Sequence, residues 1–205
     1  MIEALNEFDT QWFYLINHHH CTVMDWVMWF FSSKWSWFLA MVIAYLAVAI
    51  KNFRFSPFTL HFEKWWWLPL VAIGLCFLFA DQTSNWIKDW VCRERPCKAL
   101  ADVVMYHTKC GHPYGFVSSH AANALALVAF FWFRYGKTRK WVALGLLVWA
   151  LITCYSRPYL GKHYPGDVVC GAALGLCIGA VVYFAIQGIE KLIYKHHSVK
   201  NNAAR

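Results

Sequence analysis

Residues 168–189, VVCGAALGLCIGAVVYFAIQGI, form an apolar run of 22 residues without a single charged side chain. A helix needs about 20 such residues to cross the hydrocarbon core of a bilayer, so this stretch alone predicts a membrane span. Outward from it, residues 141–156, 121–133, 65 to about 88, and 35–50 read as four more, the run at 121–133 being short and extended by its neighbours. Residues 2–16 place Leu5, Phe8, Trp12, Leu15 and Ile16 near one helical face, with Glu3, Asn6, Glu7 and Thr10 elsewhere. That pattern predicts an amphipathic helix lying in the interface. The segment 23–31, VMDWVMWFF, is apolar but too short to cross and reads as a second interfacial or re-entrant piece. A six-span topology, with residues 11–33 as a bent span, is the competing arrangement.

Composition agrees. The 205 residues are 60% hydrophobic and 15% charged, against about 45–50% and about a quarter in soluble domains. This excludes a disordered chain and argues against a water-soluble globule. The 13 Trp, 16 Phe and 10 Tyr suit a protein anchored at a lipid–water boundary. The expected fold is all-α: a polytopic helical membrane bundle of five or six transmembrane helices. A single domain over 1–190 is expected, with interfacial helices in 1–33, a transmembrane bundle in 35–189 and a basic tail in 191–205. The length leaves no room for a separate soluble enzyme domain. The acidic start (Glu3, Glu7, Asp9) predicts no secretory signal.

Charge sets the orientation. With five spans, one side holds Lys51, Arg54, Lys64, Arg134, Lys137, Arg139, Lys140, Lys191, Lys195, Lys200 and Arg205, eleven of the 19 Lys and Arg, against only Glu63 and Glu190. The opposite side carries the other eight cations and eight acids, with Asp81 inside a span. The positive-inside rule places the first side, and the C-terminus, in the cytoplasm. The net charge of +8 is thereby explained by cytoplasmic loops, and no nucleic acid partner is expected. The loops 92–117 and 157–167 then face outward.

Three polar clusters fall at the outer ends of the spans: KDWVCRERP at 88–96, VSSH at 117–120 and SRPYLGKHYPGD at 156–167. Lys88, Arg95 and Arg157 converging on one face repel one another unless an anion joins them. A tetrahedral phosphate is the simplest such anion, since Arg suits bidentate contact with its oxygens and Lys acts as a point charge. His120 and His163 add a nucleophile and a proton donor. Asp167, four residues after His163, is placed to fix its tautomer. Ser118 and Ser119 open a span, where hydroxyls and free amides make an anion seat.

These clusters resemble the tripartite signature of the type-2 phosphatidic acid phosphatase superfamily. Lys88 with Arg95-Pro96 matches the first motif fully, and Ser156-Arg157, His163 and Asp167 match the third. In the second, Ser118 and His120 match, while Val117 and Ser119 stand where the family has proline and glycine. The resemblance implies that His163 attacks phosphorus to form a phosphohistidine, that Asp167 orients it, and that His120 protonates the leaving oxygen and then activates water. It implies that Lys88, Arg95, Arg157 and Ser118 bind the phosphoryl oxygens, with neither metal nor cofactor. At Ser119 a backbone donor remains and the side chain turns away or adds a contact, so activity is expected to survive. The implied protein sits in a bacterial inner membrane with its site facing the periplasm. Its substrate is a phosphorylated lipid, with undecaprenyl diphosphate first because the chain is compact. Lipid A, phosphatidylglycerophosphate and phosphatidic acid are the alternatives. A non-catalytic lipid-binding or transport relative is the reading of another class; the presence of His120, His163 and Asp167 together argues against it.

Other features have plainer readings. His18, His19 and His20 point in different directions and read as a polar interfacial turn rather than a metal site. Asp81, Asn85 and Lys88 share a helical face and read first as an interhelical hydrogen-bonding stripe, second as support for the site. Gly171, Gly175 and Gly179 form two overlapping GxxxG units for close packing on a neighbouring span, with a homodimer seam as the alternative use. Cys97 and Cys110 are expected to be bridged on the oxidising side, with Cys92 as the competing partner.

Overall fold

The computed structural model describes the backbone of residues 2–55, 58–62, 66–107 and 109–203, and the side chains of these except 2, 4, 51–62 and 195–203. The side chains of Lys51, Arg54, Lys64, Lys195, Lys200 and Arg205, used above for orientation, lie outside the described residues. In chain order the elements are α1 (Ile2–Asn17), α2 (Thr22–Ser32), α3 (Lys34–Ala49), β1 (Ile50–Phe55), β2 (Phe58–Phe62), α4 (Leu68–Val91), α5 (Pro96–Ala99), α6 (Ser119–Tyr135), α7 (Lys140–Tyr159) and α8 (Pro165–Ala203).

Helix α6 is the axis of the bundle. Every residue from Ala121 to Phe131 is buried, because α4, α7 and α8 surround it. Its alanines let those neighbours approach closely. The glycine stripe of α8 meets them: a Cβ added at Gly171 would lie 2.5 Å from the Ser118 carbonyl oxygen, and at Gly175 and Gly179 it would run into the carbonyls of Ala122 and Ala126. The stripe is thus filled by α6 of the same chain, and the motif that suggested a homodimer seam is already occupied.

By length and hydropathy, α4, α7 and Pro165–Tyr194 of α8 are able to cross a membrane; α2 and α3, bent by 63° at their junction, make a fourth if taken as one span. The expected count of five or six is not reached by this measure, for two reasons. The run at 35–50 belongs to a helix of 16 residues that follows a sharp bend. The run at 121–133 belongs to a helix of 17 residues, about 25 Å long, that is wrapped by protein rather than by lipid. The bend falls at Ser33, whose side chain caps α3 by accepting from the Ser36 amide at 3.4 Å. A single bent span over 11–33 is not what forms, since α1 ends at Asn17 and α2 starts at Thr22.

Two expected loops are structured. Residues 51–64, read as a plain cytoplasmic loop, carry the antiparallel hairpin β1–β2, so the fold is helical with one small two-stranded addition. The outer loop at 157–167 shortens to 160–164, because α7 runs on to Tyr159 and α8 begins at Pro165. Proline tolerates a first helical turn because the amide it lacks has no partner there. The loop at 92–117 contains α5 and is closed by a disulfide between Cys97 and Cys110, with Cα atoms 6.0 Å apart. Asn17, fully buried at the end of α1, ties it to the body: its amide donates to the carbonyls of Val104 and Tyr159 at 2.9 Å each and its oxygen accepts from the Val104 amide at 2.9 Å.

The three adjacent histidines go to separate partners. His18 meets the Asp102 carbonyl at 3.2 Å, His19 the Leu15 carbonyl at 2.6 Å and His20 the Asp25 carboxylate at 2.6 Å. Among the described residues no group of three metal-ligating side chains is found.

Candidate active site

The ends of α4, α6 and α7 and the turn before α8 meet at one cavity of about 280 Å³. Its lining includes Lys88, Arg95, Ser119, His120, Arg157 and His163. Helix α4 stops just past Lys88 because Cys92 takes a left-handed conformation (φ 53°) while its amide still bonds to the Lys88 carbonyl at 2.9 Å. Arg95 follows in extended conformation as the N-cap of α5. Arg157 sits in the last turn of α7, and His163 in the turn that follows.

Three cations at this cavity are almost wholly buried: Lys88 and Arg157 at 3% exposure and Arg95 at 8%. Each is held by neutral groups. Lys88 Nζ donates to the Ser119 hydroxyl and, at 3.4 Å, to Asn85 Oδ1. Arg95 donates to the carbonyls of Tyr114 at 3.1 Å and Lys162 at 3.2 Å. Arg157 donates to the Ser32 hydroxyl, while its Nε has no hydrogen-bond partner among the described residues. A buried charge is costly without an opposite charge, so the cavity is built for an anion. Lys162 adds to the field: burial, and then Arg157 and Arg95 nearby, push its ammonium down to about 8.

His163 is 2% exposed. Burial, followed by the charges of Arg95, Arg157 and Lys88, holds its imidazole well below the ordinary histidine range, so it is neutral at pH 7. Arg95 Nη1 lies 3.0 Å from His163 Nε2. A guanidinium only donates, so Nε2 is the acceptor and carries the lone pair. The proton is then on Nδ1, which faces Asp167 Oδ2 at 3.4 Å. That distance is long for a full hydrogen bond, and such contacts often tighten only when substrate binds.

Asp167 and Ser118 stand behind the cavity wall instead of in it. Asp167 is fully buried; its Oδ2 accepts from the Tyr164 amide at 3.1 Å and its Oδ1 from Arg93 at 2.7 Å. Ser118, expected to bind the phosphoryl group, is the N-cap of α6: its hydroxyl turns back to the Ala121 amide at 3.4 Å and its own amide donates to the Asp167 carbonyl at 3.0 Å. It does not line the cavity. Its hydroxyl oxygen accepts at the cap, which leaves the O–H proton free to donate. Ser119, where a glycine was expected, reaches the cavity and receives Lys88.

Several lining or supporting residues were not singled out as site residues by the sequence. Asp81, Asn85 and Asn123 line the cavity, so the polar stripe on α4 belongs to the site. Gly115 presses its backbone against the His163–Asp167 pair: a Cβ there would be 3.0 Å from Asp167 Oδ2 and 3.6 Å from His163 Nδ1. Arg93 and Asp9 form an ion pair at 2.7 Å directly behind Asp167. The one available hint was that Arg93 sits two residues from Arg95, inside the first cluster.

A second cavity, of about 340 Å³, opens between α3 and α4 and is lined by Ser32, Lys34, Trp37, Phe38, Met41 and Phe77. It shares His120 and Asn123 with the first. The Trp37 ring meets His120 edge-on, with centroids 5.7 Å apart. His120 therefore stands at the junction of a cationic chamber and an apolar one.

The sequence model of the PAP2 superfamily matches residues 65–190. A lipid A 4′-phosphatase from Bacteroides thetaiotaomicron is 35% identical over 189 residues, covering 90% of this chain and 79% of that protein. A lipid A 4′-phosphatase from Porphyromonas gingivalis is 28% identical over 193 residues, covering 89% and 74%. The crystal structure of a transmembrane PAP2-type phosphatidylglycerolphosphate phosphatase from Bacillus subtilis superposes with a TM-score of 0.63 at 21% identity, covering 93% of this chain and 88% of that one.

Proposed function

The chain belongs to the PAP2 superfamily as a membrane lipid phosphatase, and from that premise we propose that it removes the 4′ phosphate of lipid A. The observation that carries the chemistry is the set of three buried cations around the lone pair of His163 Nε2, none of them hydrogen-bonded to a carboxylate among the described residues. The 35% identity to a lipid A 4′-phosphatase over 90% of the chain supports this choice of substrate. Compactness alone favours undecaprenyl diphosphate; the likeness to two lipid A 4′-phosphatases reverses that order.

The phosphomonoester enters the cationic chamber, and its oxygens take up the donors of Lys88, Arg95, Arg157 and Ser119. Arg95 then turns from Nε2 to the phosphate. The Nε2 lone pair forms a bond to phosphorus as the bond to the sugar oxygen breaks, and His120, which takes up a proton when the phosphate dianion enters beside it, gives that proton to the leaving oxygen. The charge spread over the phosphoryl oxygens is stabilised by donors already in place. Asp167 steadies the imidazole as it becomes cationic. Water then attacks phosphorus, His120 takes its proton, the N–P bond breaks and inorganic phosphate leaves. Attack from His163 puts the leaving group on the side of His120. That side opens to Trp37, Phe38, Met41 and Phe77, an apolar wall suited to an acylated sugar. The protein works without metal in a bacterial inner membrane, with this site on the periplasmic face and the C-terminus in the cytoplasm.

The test is phosphate release by the detergent-purified protein from lipid A, undecaprenyl diphosphate and phosphatidylglycerophosphate. Release from lipid A that exceeds the other two, and is abolished by His163→Ala and His120→Ala in folded protein, is expected. Faster turnover of undecaprenyl diphosphate than of lipid A would overturn the substrate. Undiminished release by His163→Ala would overturn the nucleophile.

A further inference from the structure

We infer that Asp9 and Arg93 are positioning residues for the His163–Asp167 pair, so that α1, far from the catalytic motifs in sequence, is part of the catalytic apparatus. The inference rests on the reading of His163 as nucleophile. One guanidinium bridges two carboxylates: Arg93 Nη1 donates to Asp167 Oδ1 at 2.7 Å and Nη2 to Asp9 Oδ2 at 2.7 Å. Its plane rests on the Tyr164 ring, 4.1 Å from the centroid. Asp9 is held in turn by the Gly166 amide, which donates to Oδ1 at 2.7 Å. Glycine is needed there, because a Cβ at 166 would lie 2.8 Å from Asp9 Oδ2.

This arrangement does two things for His163. The guanidinium fork is rigid and planar, so it sets the plane of the Asp167 carboxylate and leaves Oδ2 facing the imidazole. Asp9 also corrects the charge. Arg93 with Asp167 alone is a neutral pair, with little left to stabilise a cationic imidazole. With Asp9 the group carries one net negative charge, directed at His163 through Asp167. Helix α1 is built to deliver it. Its inward face buries Phe13 against Tyr164, with ring centroids 5.7 Å apart, and anchors Asn17. Its outward face exposes Leu5, Phe8, Trp12 and Leu15, as an interfacial helix does.

The experiment uses the full chain in detergent, with lipid A as substrate and His163→Ala as reference. Asp9→Asn is nearly isosteric, but it removes the charge, and its single oxygen can accept from only one of Arg93 and Gly166, leaving its NH2 against the other donor. We expect it to lower kcat about 10- to 100-fold, the range seen when the partner of a ligand-orienting group is removed, with KM changed less than about threefold. Arg93→Lys is expected to lose as much, because an ammonium cannot bridge both carboxylates. Asp9→Glu restores more activity than Asp9→Asn. The double variant Asp9→Asn with Arg93→Gln is expected to fall no further than the worse single variant, as members of one unit do. Wild-type kcat in Asp9→Asn, a change confined to KM, or an additive double variant would overturn the inference. If Arg93 variants fail to elute as folded protein, Asp9→Asn decides alone. Full activity of His163→Ala would instead sink the nucleophile reading beneath it, so the two failures are told apart.

Discussion

The two ends of the bundle both engage arginine, half-buried at one and buried at the other, and they treat it in opposite ways. At the hairpin end, Arg134 makes a forked pair with Glu190, each nitrogen 2.8 Å from its own carboxylate oxygen. Arg139 there donates to the carbonyls of Ala47 at 2.6 Å and Ile50 at 3.1 Å, tying α7 to the end of α3. At the other end, Lys88, Arg95 and Arg157 find only hydroxyls, amide and carbonyl oxygens and an imidazole. Arg134 at the first end has its charge cancelled; the three cations at the second are held in reserve. A closed pair serves the fold, whereas a cluster of like charges kept out of water costs stability and is retained for what it binds. Arg93 lies between these cases: it is paired with two carboxylates, yet one of them leads on to His163.

Substitution at each end gives the largest expected contrast. Arg157→Ala should lower turnover of lipid A about 10²- to 10³-fold, the usual cost of one transition-state donor, while the unfolding midpoint stays level or rises as repulsion is relieved. A midpoint that falls sharply would make Arg157 a structural residue like Arg134. Next, an anion should stabilise the open end. Vanadate at about a hundred times its dissociation constant should add about 2.7 kcal/mol to the wild type, seen as a thermal shift that is reduced in Arg157→Ala. An equal shift in both proteins would place the anion elsewhere.

A smaller effect sharpens the contrast through pH. Lys162 is held at about 8 by burial and by Arg157 and Arg95, below its value in the unfolded chain. The unfolded state therefore binds more protons between about pH 8 and about 10.4, and stability rises with pH across that window. The comparison that isolates it is wild type against Lys162→Gln in denaturant titrations. The wild type should gain relative to the variant above pH 8, and bound phosphate should remove the gain. A flat difference would show Lys162 to be free of the cationic field. Smallest is Arg134→Ala, which should leave kcat unchanged and cost about 1 kcal/mol, as expected for a partly exposed pair. Any loss of turnover beyond that of folded protein would break the division between the two ends.

Much of the site is readable along the chain because its spacing is local. Lys88 and Arg95 flank one helix end, Ser119 and His120 open another, and Arg157, His163 and Asp167 straddle a single turn. The hydropathy of 65–88, 141–156 and 168–189 likewise marks α4, α7 and α8. What hydropathy does not register is who surrounds a helix. The run at 121–133 looks like a short span, yet α6 is short because its neighbours replace lipid. Nor does it register the 63° bend between α2 and α3, or the hairpin that takes up residues expected to be loop. Ser118 stands outside the cavity lining, because its hydroxyl caps the first turn of α6, a position that motif spacing does not register.

Residue order by itself determined the membrane class, the placing of the polar motifs at helix ends and the identity of the histidines, since these depend on periodicity and on neighbours a few positions away. Only the tertiary structure decided that Asp9 answers Arg93 across 84 residues, that Glu190 closes on Arg134 while Arg157 stays open, and that α6 is the core. Coulomb attraction and desolvation act through space, and the partner of a buried charge is whichever group the packed helices bring within about 3 Å.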